Sequence, residues 1–132
     1  MLNGKRILIT GIATEDSIAT ATARAALEAG ARVALTAFHR DLDAARAIAD
    51  ALDPQILVRA LDLCDPETTD EIGRAVAAEL GGLDGTLHAV AFAPAAALSG
   101  DFLAADAAAT ELAFRTSAWS LTNLARTFRD LA

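Results

Sequence analysis

The segment between the first apolar run and the first helical stretch carries residue types suited to binding a phosphate group. Gly11 follows the apolar run Arg6–Thr10, and Ser17 stands directly before a stretch with helical spacing. A glycine permits a sharp turn after a strand, and the first N–H groups of a helix, together with a serine hydroxyl, can bind an anion. The full G-x-G-x-x-G fingerprint is absent, so an ordinary turn capped by Asp16 or Ser17 also fits this loop.

Short apolar runs alternate with longer amphipathic stretches, which predicts a parallel sheet covered by helices on both faces. The predicted strands are Arg6–Thr10, Arg32–Ala37, Gln55–Leu61 and Thr86–Phe92. The predicted helices are Ser17–Glu28, Asp41–Ala51, Asp65–Leu80 and, in one or two pieces, 104–132, after a loop with Pro94, Ser99 and Gly100. We expect one α/β domain over 1–132, an incomplete Rossmann-type doubly wound sheet with strand order 3-2-1-4 and the later strands absent.

Composition and charge exclude several classes of function. The net charge of −7 argues against non-specific binding to nucleic acid or to an anionic membrane surface. No apolar stretch reaches the ~20 residues of a membrane span, and the first residues lack the pattern of a secretory signal. The single cysteine, Cys64, excludes a disulfide framework and is expected to fill space after the third strand. We therefore expect a cytoplasmic protein.

Several stretches in order resemble the enoyl-acyl-carrier-protein reductases, a divergent branch of the short-chain dehydrogenase/reductase superfamily. The spacing Gly-x5-Ser-Ile-Ala at Gly11–Ala19 is similar to the variant glycine motif of that family. The other similar stretches are Gly4–Ile9, Leu35–Arg40, Leu61–Leu63, Leu83–Pro94 and Thr116–Ser120. Together they cover nearly all of this chain but only about the first half of a family member. Several motifs in order are more specific than any one of them.

The resemblance implies a nicotinamide cofactor bound by the loops that follow the strands. The pyrophosphate and ribose would lie on the glycine loop, the adenine on the ends of the second and third strands, and the nicotinamide ribose beside the fourth. The implied cofactor-binding residues are Gly11, Ile12, Ser17, Ile18, Phe38, Asp62, Leu63, Ala91, Phe92, Ala93 and Thr116. Ala91 replaces a glycine common in the family, so the backbone there would approach the cofactor less closely.

Two of these residues define the adenine end of the implied site. Phe38 would stack near the adenine; alternatively, it is a core phenylalanine at a strand end. Asp62 would accept a hydrogen bond from the adenine amino group, with Leu63 packing beside it; alternatively, it caps a helix or is a solvated loop residue. The resemblance favours NADH. Because the second strand ends in Phe38-His39-Arg40 with no acidic residue, NADPH is not excluded.

The residues that perform chemistry in the family have no counterpart in this chain. The family's reaction is hydride reduction of a 2-enoyl thioester, carried by acyl carrier protein or coenzyme A. It needs a tyrosine at the thioester carbonyl and a lysine six residues later. This sequence contains no tyrosine, and its one lysine is Lys5. His88 fits a satisfied core histidine, and no cluster has metal-ligand spacing. We predict neither catalytic nor metal-binding residues.

Three interpretations remain open. The first is the NADH-binding N-terminal portion of an enoyl-acyl-carrier-protein reductase, active in fatty-acid or related acyl-chain biosynthesis. The second is a short pseudoenzyme that binds NAD(H) without turnover. The third is a structural subunit of a homo-oligomer, because the fourth strand would leave an unpaired edge. Its apolar surface would come from Phe114, Trp119, Leu121, Leu124, Ala125 and Phe128.

Overall fold

The computed structural model describes residues 1–98 and 100–131. The strands are β1 (Arg6–Thr10), β2 (Arg32–Ala37), β3 (Leu57–Ala60) and β4 (Gly85–His88). The α-helices are α1 (Ile18–Glu28), α2 (Leu42–Leu52), α3 (Pro66–Leu80), α4 (Ala95–Leu98), α5 (Ala107–Phe114) and α6 (Ser120–Leu131). Two 3-10 turns (His39–Asp41 and Phe102–Ala104) and a π-helical turn (Arg115–Trp119) complete the described part.

The four strands form one parallel sheet in the order β3-β2-β1-β4, which confirms the predicted topology. In its register, Thr10 at the end of β1 lies between Thr36 of β2 and His88 of β4. Among the described residues, β4 pairs with β1 alone and is therefore an edge strand. The carboxyl ends of all four strands lie along one side of the sheet, where ligands bind in folds of this type.

Helices cover both faces of the sheet, as the continuous apolar strands predict. One apolar cluster joins β1 and β2 to α1 and α2 and is centred on Ile9, Leu35 and Ile48. The second joins the opposite face to α3 and α6 and contains Leu8 and Leu124. Because adjacent strand residues point to opposite faces, Leu8 and Ile9 divide between the two clusters.

Polar caps fix where the helices begin. The Ser17 hydroxyl accepts the N–H of Thr20 at the start of α1. Asp65 accepts the N–H groups of Glu67 and Thr68 at the start of α3, with Pro66 in the first turn. Such caps satisfy N–H groups that have no partner within the helix. Hydrogen bonds between residues two or three positions apart therefore fix where α1 and α3 begin.

Boundaries differ from the sequence prediction where the chain leaves the sheet. β3 and β4 end earlier than predicted, because each stops where its partner stops: β3 ends at Ala60 opposite Ala37 of β2, and β4 ends at His88 opposite Thr10 of β1. Helix α4 lies in the segment predicted as a loop, and the last helical segment is divided by the π-helical turn. Ser99 and Ala132, which fell in the predicted loop and last helix, lie outside the described residues.

The predicted apolar surface of the last segment divides into two sets. Leu124 is buried and Phe128 packs against the sheet cluster, so these two belong to the core. Phe114, Trp119 and Leu121 are about half exposed or more. Within the described residues, no helix combines the length and apolar character that a membrane span needs.

Candidate functional site

A cleft of about 340 Å³ opens at the carboxyl ends of the strands. Its volume falls within the usual range for small-molecule sites. It collects the glycine loop, the chain after each of the other strands, and the residues before α6. The lining residues are Thr10, Gly11, Ile12, Ala13, Thr36, Phe38, Arg40, Asp41, Leu61, Asp62, Leu63, Cys64, Ala89, Val90, Ala91, Phe92, Leu112, Arg115 and Thr116.

The glycine loop is held close against the ends of β2 and β4. The N–H groups of Gly11 and Ile12 both donate to the carbonyl of Thr36, at 2.9 and 3.1 Å. Gly11 has φ +83°, and a Cβ added there would lie 2.7 Å from the carbonyl carbon of Ala89. The position therefore requires glycine for both its backbone angle and the space it leaves. Ile12 is fully buried, so its side chain anchors the loop in the core.

Three of the predicted residues do not line the cleft. Ser17 caps α1 through Thr20, and its hydroxyl lies 3.0 Å from the hydroxyl of that residue. Ile18 begins α1 and is 79% exposed. Ala93 lies just beyond Phe92, which is the last residue of that segment on the cleft. The other eight predicted residues do line it. Binding by Ser17 and Ile18 would therefore act from the helix start beside the cleft.

An arginine spans the mouth of the cleft between two aromatic rings. The Arg40 guanidinium carbon lies 5.2 Å from the ring centroid of Phe38 and 5.5 Å from that of Phe92. Both distances fit cation–π contacts. Phe38 is 42% exposed, which makes it a cleft residue and argues against the core alternative. An aromatic face and a cation thus meet where the chain leaves β2.

The chain after β3 forms a tight turn around Asp62. The Asp62 carboxylate accepts the N–H of Cys64 at 2.9 Å through Oδ1, and its carbonyl accepts the N–H of Asp65. Leu61 and Leu63 are buried on either side of it. A carboxylate has further lone pairs, so Asp62 can still accept a hydrogen bond from a ligand. These contacts agree with the alternative role as a loop residue, and the role of Asp62 as a ligand to the adenine stays a prediction.

The π-helical turn before α6 presents Thr116 to the cleft. Turns of this kind occur frequently at functional sites. The sulfur of Cys64 lies 3.6 Å from the Thr116 hydroxyl, so Cys64 is a half-buried cleft residue as well as a space filler. The Ser117 hydroxyl accepts the N–H of Phe92 and can donate to its carbonyl, each at 3.0 Å. This serine fastens the chain after β4 to the helix.

His88 is tied to the same helix. Its Nε2 lies 2.7 Å from the Ser120 hydroxyl, whose oxygen is 2.6 Å from the carbonyl of Thr116. Because the serine proton is directed to that carbonyl, His88 Nε2 acts as the donor. Burial lowers the pKa of His88 from its usual value. These contacts agree with the predicted role of a satisfied structural histidine. In the described part of the chain, no group of histidine, cysteine and acidic residues could hold a metal ion.

Sequence reasoning missed the hydrogen-bonding face of the last helix. The side chains along this face are Ser117, Ser120, Asn123 and Thr127, and each contacts another element of the fold. Their spacing of three to four residues is the signal that could have revealed the face. It was overlooked because serine, threonine and asparagine on a helix usually face solvent.

The strand order and the position of the cleft define the class: this is a Rossmann-type α/β protein with its ligand cleft at the carboxyl edge of a parallel sheet. Comparison with known proteins identifies the family within that class. Residues 11–132 match the family model described as enoyl-(acyl carrier protein) reductase. The chain therefore belongs to the enoyl-(acyl carrier protein) reductase family.

Individual relatives agree with this assignment. The enoyl-[acyl-carrier-protein] reductase [NADH] FabI of Neisseria meningitidis is 43% identical over 136 residues, covering 98% of this chain and 50% of the relative. The Bacillus cereus enoyl-acyl carrier protein reductase, solved with NADP+ and indole naphthyridinone, superposes with a TM-score of 0.91 at 32% identity, covering 98% and 51%. The Anaplasma phagocytophilum enzyme, solved with NAD, gives 0.90 at 30% identity, covering 98% and 50%. The chain spans about half the length of these relatives.

Proposed function

We propose that this chain is the NADH-binding portion of an enoyl-acyl-carrier-protein reductase. The observation that carries the proposal is the single cleft that collects Gly11, Phe38, Asp62 and Thr116 from four separate parts of the chain. A close backbone turn, an aromatic ring, a carboxylate and a hydroxyl can contact the phosphates, the adenine and the riboses of a dinucleotide. The relatives named for NADH and solved with NAD or NADP+ support the same choice.

The proposed binding mode follows the order of these groups along the cleft. The adenine would lie against Phe38, with its amino group donating to Asp62. The pyrophosphate would lie on the glycine loop, near the N-terminus of α1, because Gly11 and Ile12 direct their own N–H groups to β2. The nicotinamide ribose would lie beside Ala91 and Phe92, with Thr116 across from them. Ala93 would contribute only from beyond the cleft.

The choice between NADH and NADPH depends on the end of β2. No acidic side chain occupies the position after β2, which is held by Phe38, and Asp41 is three residues further along the cleft wall. A carboxylate there would favour the ribose 2′-hydroxyl of NADH, whereas Arg40 could pair with the 2′-phosphate of NADPH. We propose NADH as the main cofactor, with measurable binding of NADPH through Arg40.

The proposed reaction belongs to the longer protein of which these residues would form the cofactor-binding half. When bound, the nicotinamide would supply hydride to a 2-enoyl thioester of acyl carrier protein or coenzyme A. This chain would hold and orient the cofactor. With no tyrosine and one distant lysine, it offers no donor of the family type for the thioester carbonyl. A cytoplasmic location is proposed with it, consistent with the family's biosynthetic role.

Self-association is proposed as a second property. The observation that favours it is the exposure of Phe114, Trp119 and Leu121 near one another in the sequence. A homo-oligomer would cover these side chains. Light scattering of the purified chain tests this proposal directly. A mass of two or more chains supports it, and a monodisperse monomer rejects it.

Calorimetric titration with NADH tests the proposed cofactor. We expect saturable one-to-one binding, weakened by Phe38→Ala and by Asp62→Asn. Phe128→Leu serves as the control, because Phe128 packs in the apolar cluster with α3 and does not itself line the cleft. If native protein and control release no heat with millimolar NADH, the proposal is wrong. Oxidation of NADH with a 2-enoyl thioester, followed by absorbance, is expected to stay at background for this chain.

A further inference from the structure

Asn123 carries a buried side-chain amide whose hydrogen-bond partner lies outside its own helix. It is the fourth residue of α6 and is 6% exposed. Asparagine is a poor helix former, and burying its amide is costly unless the amide is hydrogen-bonded. Its Nδ2 donates to the carbonyl of Leu63 at 2.8 Å, a contact buried at both ends and joining residues sixty positions apart. This contact explains the residue, and it directs attention to the turn after β3.

The carbonyl that Asn123 holds belongs to the peptide unit that orients Asp62. The Leu63 carbonyl and the Cys64 N–H are parts of one planar group. Asn123 binds the oxygen of that group, and the Asp62 carboxylate accepts its N–H at 2.9 Å. A rotation of this peptide unit would break both contacts together. The Asn123 side-chain amide therefore fixes the orientation of the peptide unit to which the Asp62 carboxylate is hydrogen-bonded.

We propose that Asn123 is the positioning residue for Asp62, holding its carboxylate in the cleft at the place where it would accept the adenine amino group. This inference rests on the proposed function. Asn123 does not line the cleft, and it would act on the cofactor site through the peptide unit between Leu63 and Cys64. Loss of the amide would leave a buried carbonyl without its donor and free the turn to move.

Thr127 provides a matched control on the same helix. It is also buried, at 4% exposure, and its hydroxyl donates to Asp70 of α3, away from the cleft. Asn123→Leu removes a buried hydrogen bond of α6 and Thr127→Val a partly buried one, and each substitution keeps the number of side-chain heavy atoms. If either fails to fold, Asn123→Ala and Thr127→Ala replace the pair.

Two measurements on the 132-residue chain test whether Asn123 positions Asp62. The first is hydrogen exchange without ligand: Asn123→Leu should speed exchange at the amides of Cys64 and Asp65, which donate within the turn, and Thr127→Val should not. The second is NADH titration, in which Asn123→Leu should raise the Kd roughly tenfold, as expected when one hydrogen bond from the adenine to a carboxylate is lost. In an Asp62→Ala background the same substitution should change the Kd little, since the effect passes through that carboxylate.

The outcomes separate this proposal from the proposed function. Unchanged exchange in the turn, or equal loss of NADH binding in both single variants, overturns the positioning role. An equal effect of Asn123→Leu with and without Asp62 also overturns it. If native protein binds no NADH while Asn123→Leu alone loosens the turn, the proposed function fails and the positioning of Asp62 stands.

Discussion

Replacing Gly11 with alanine should destabilise the fold by more than its backbone angle alone explains. Gly11 has φ +83°, a left-handed angle that costs an alanine about 1–2 kcal/mol. The added Cβ would also lie 2.7 Å from the carbonyl carbon of Ala89 and 3.0 Å from Cγ2 of Val90. Overpacking of this kind typically costs about 1–3 kcal/mol. We therefore expect a total loss of about 2–5 kcal/mol.

Gly81 separates the two contributions. It ends α3 with φ +79°, nearly the angle of Gly11, but a Cβ added there would meet no atom within 4 Å. Gly81→Ala should therefore cost only the backbone term, about 1–2 kcal/mol. For a chain of this size, each kcal/mol lowers Tm by roughly 4 °C. The two variants should consequently differ clearly in thermal and urea unfolding followed by circular dichroism.

Equal unfolding temperatures and urea midpoints for the two alanine variants would contradict a steric contribution at Gly11. That result would mean that β4 moves away from the glycine loop without cost. NADH binding by the same two variants is a second measurement, because the clash would displace the chain at Ala89 and Val90, which line the cleft. Gly11→Ala should bind NADH more weakly than native protein at a temperature where both remain folded, and Gly81→Ala should bind it normally.

Three further predictions concern charge, cofactor choice and access to the cleft. Hydrogen bonds from Arg6 hold the pKa of Asp84 well below its usual range. The ionised Asp84 therefore stabilises the folded state fully above about pH 3.9, the pKa of an aspartate in the unfolded chain, and this stabilisation is lost as the pH falls below that value. Urea unfolding should thus show Asp84→Asn less stable than native protein at pH 7, with the gap closing toward pH 2; a constant gap would contradict this. Arg40→Gln should weaken NADPH binding about tenfold and leave NADH binding nearly unchanged, since it removes a cation suited to phosphate; equal loss of both would refute that role. NADH should slow alkylation of Cys64, which lines the cleft, and an unchanged rate followed by mass spectrometry would place the cofactor elsewhere.

The strands and the order of the sheet could be predicted because local pattern and topology rules agree. β1 and β2 have the predicted bounds, since both are continuous apolar runs buried on two faces. The ends of β3 and β4 could not be predicted, because apolar residues continue past the point where the neighbouring strand stops. Apolar character indicates burial, whereas ladder length depends on where the partner ends.

The cleft could be predicted in part for a similar reason. Family motifs fall on the chain after each strand, so Gly11, Phe38 and Asp62 could be chosen without coordinates. The helix-cap role of Ser17 is one of the alternatives that the sequence allows, whereas its position outside the cleft depends on the path of the loop. Asn123 could not be chosen, because its partner Leu63 is sixty residues distant and the contact is made only when α6 packs on the sheet.

Mapping the NADH site by amide chemical shifts tests the central claim most directly. In a titration of the isotopically labelled 132-residue chain, we expect saturable shifts for amides of the glycine loop, the turn around Asp62, and the chain at Ala91 and Phe92. Amides of α3 that face away from the cleft should stay in place. Shifts confined to α3 and α6, or no shifts at millimolar NADH, would contradict the assignment of this cleft to the cofactor.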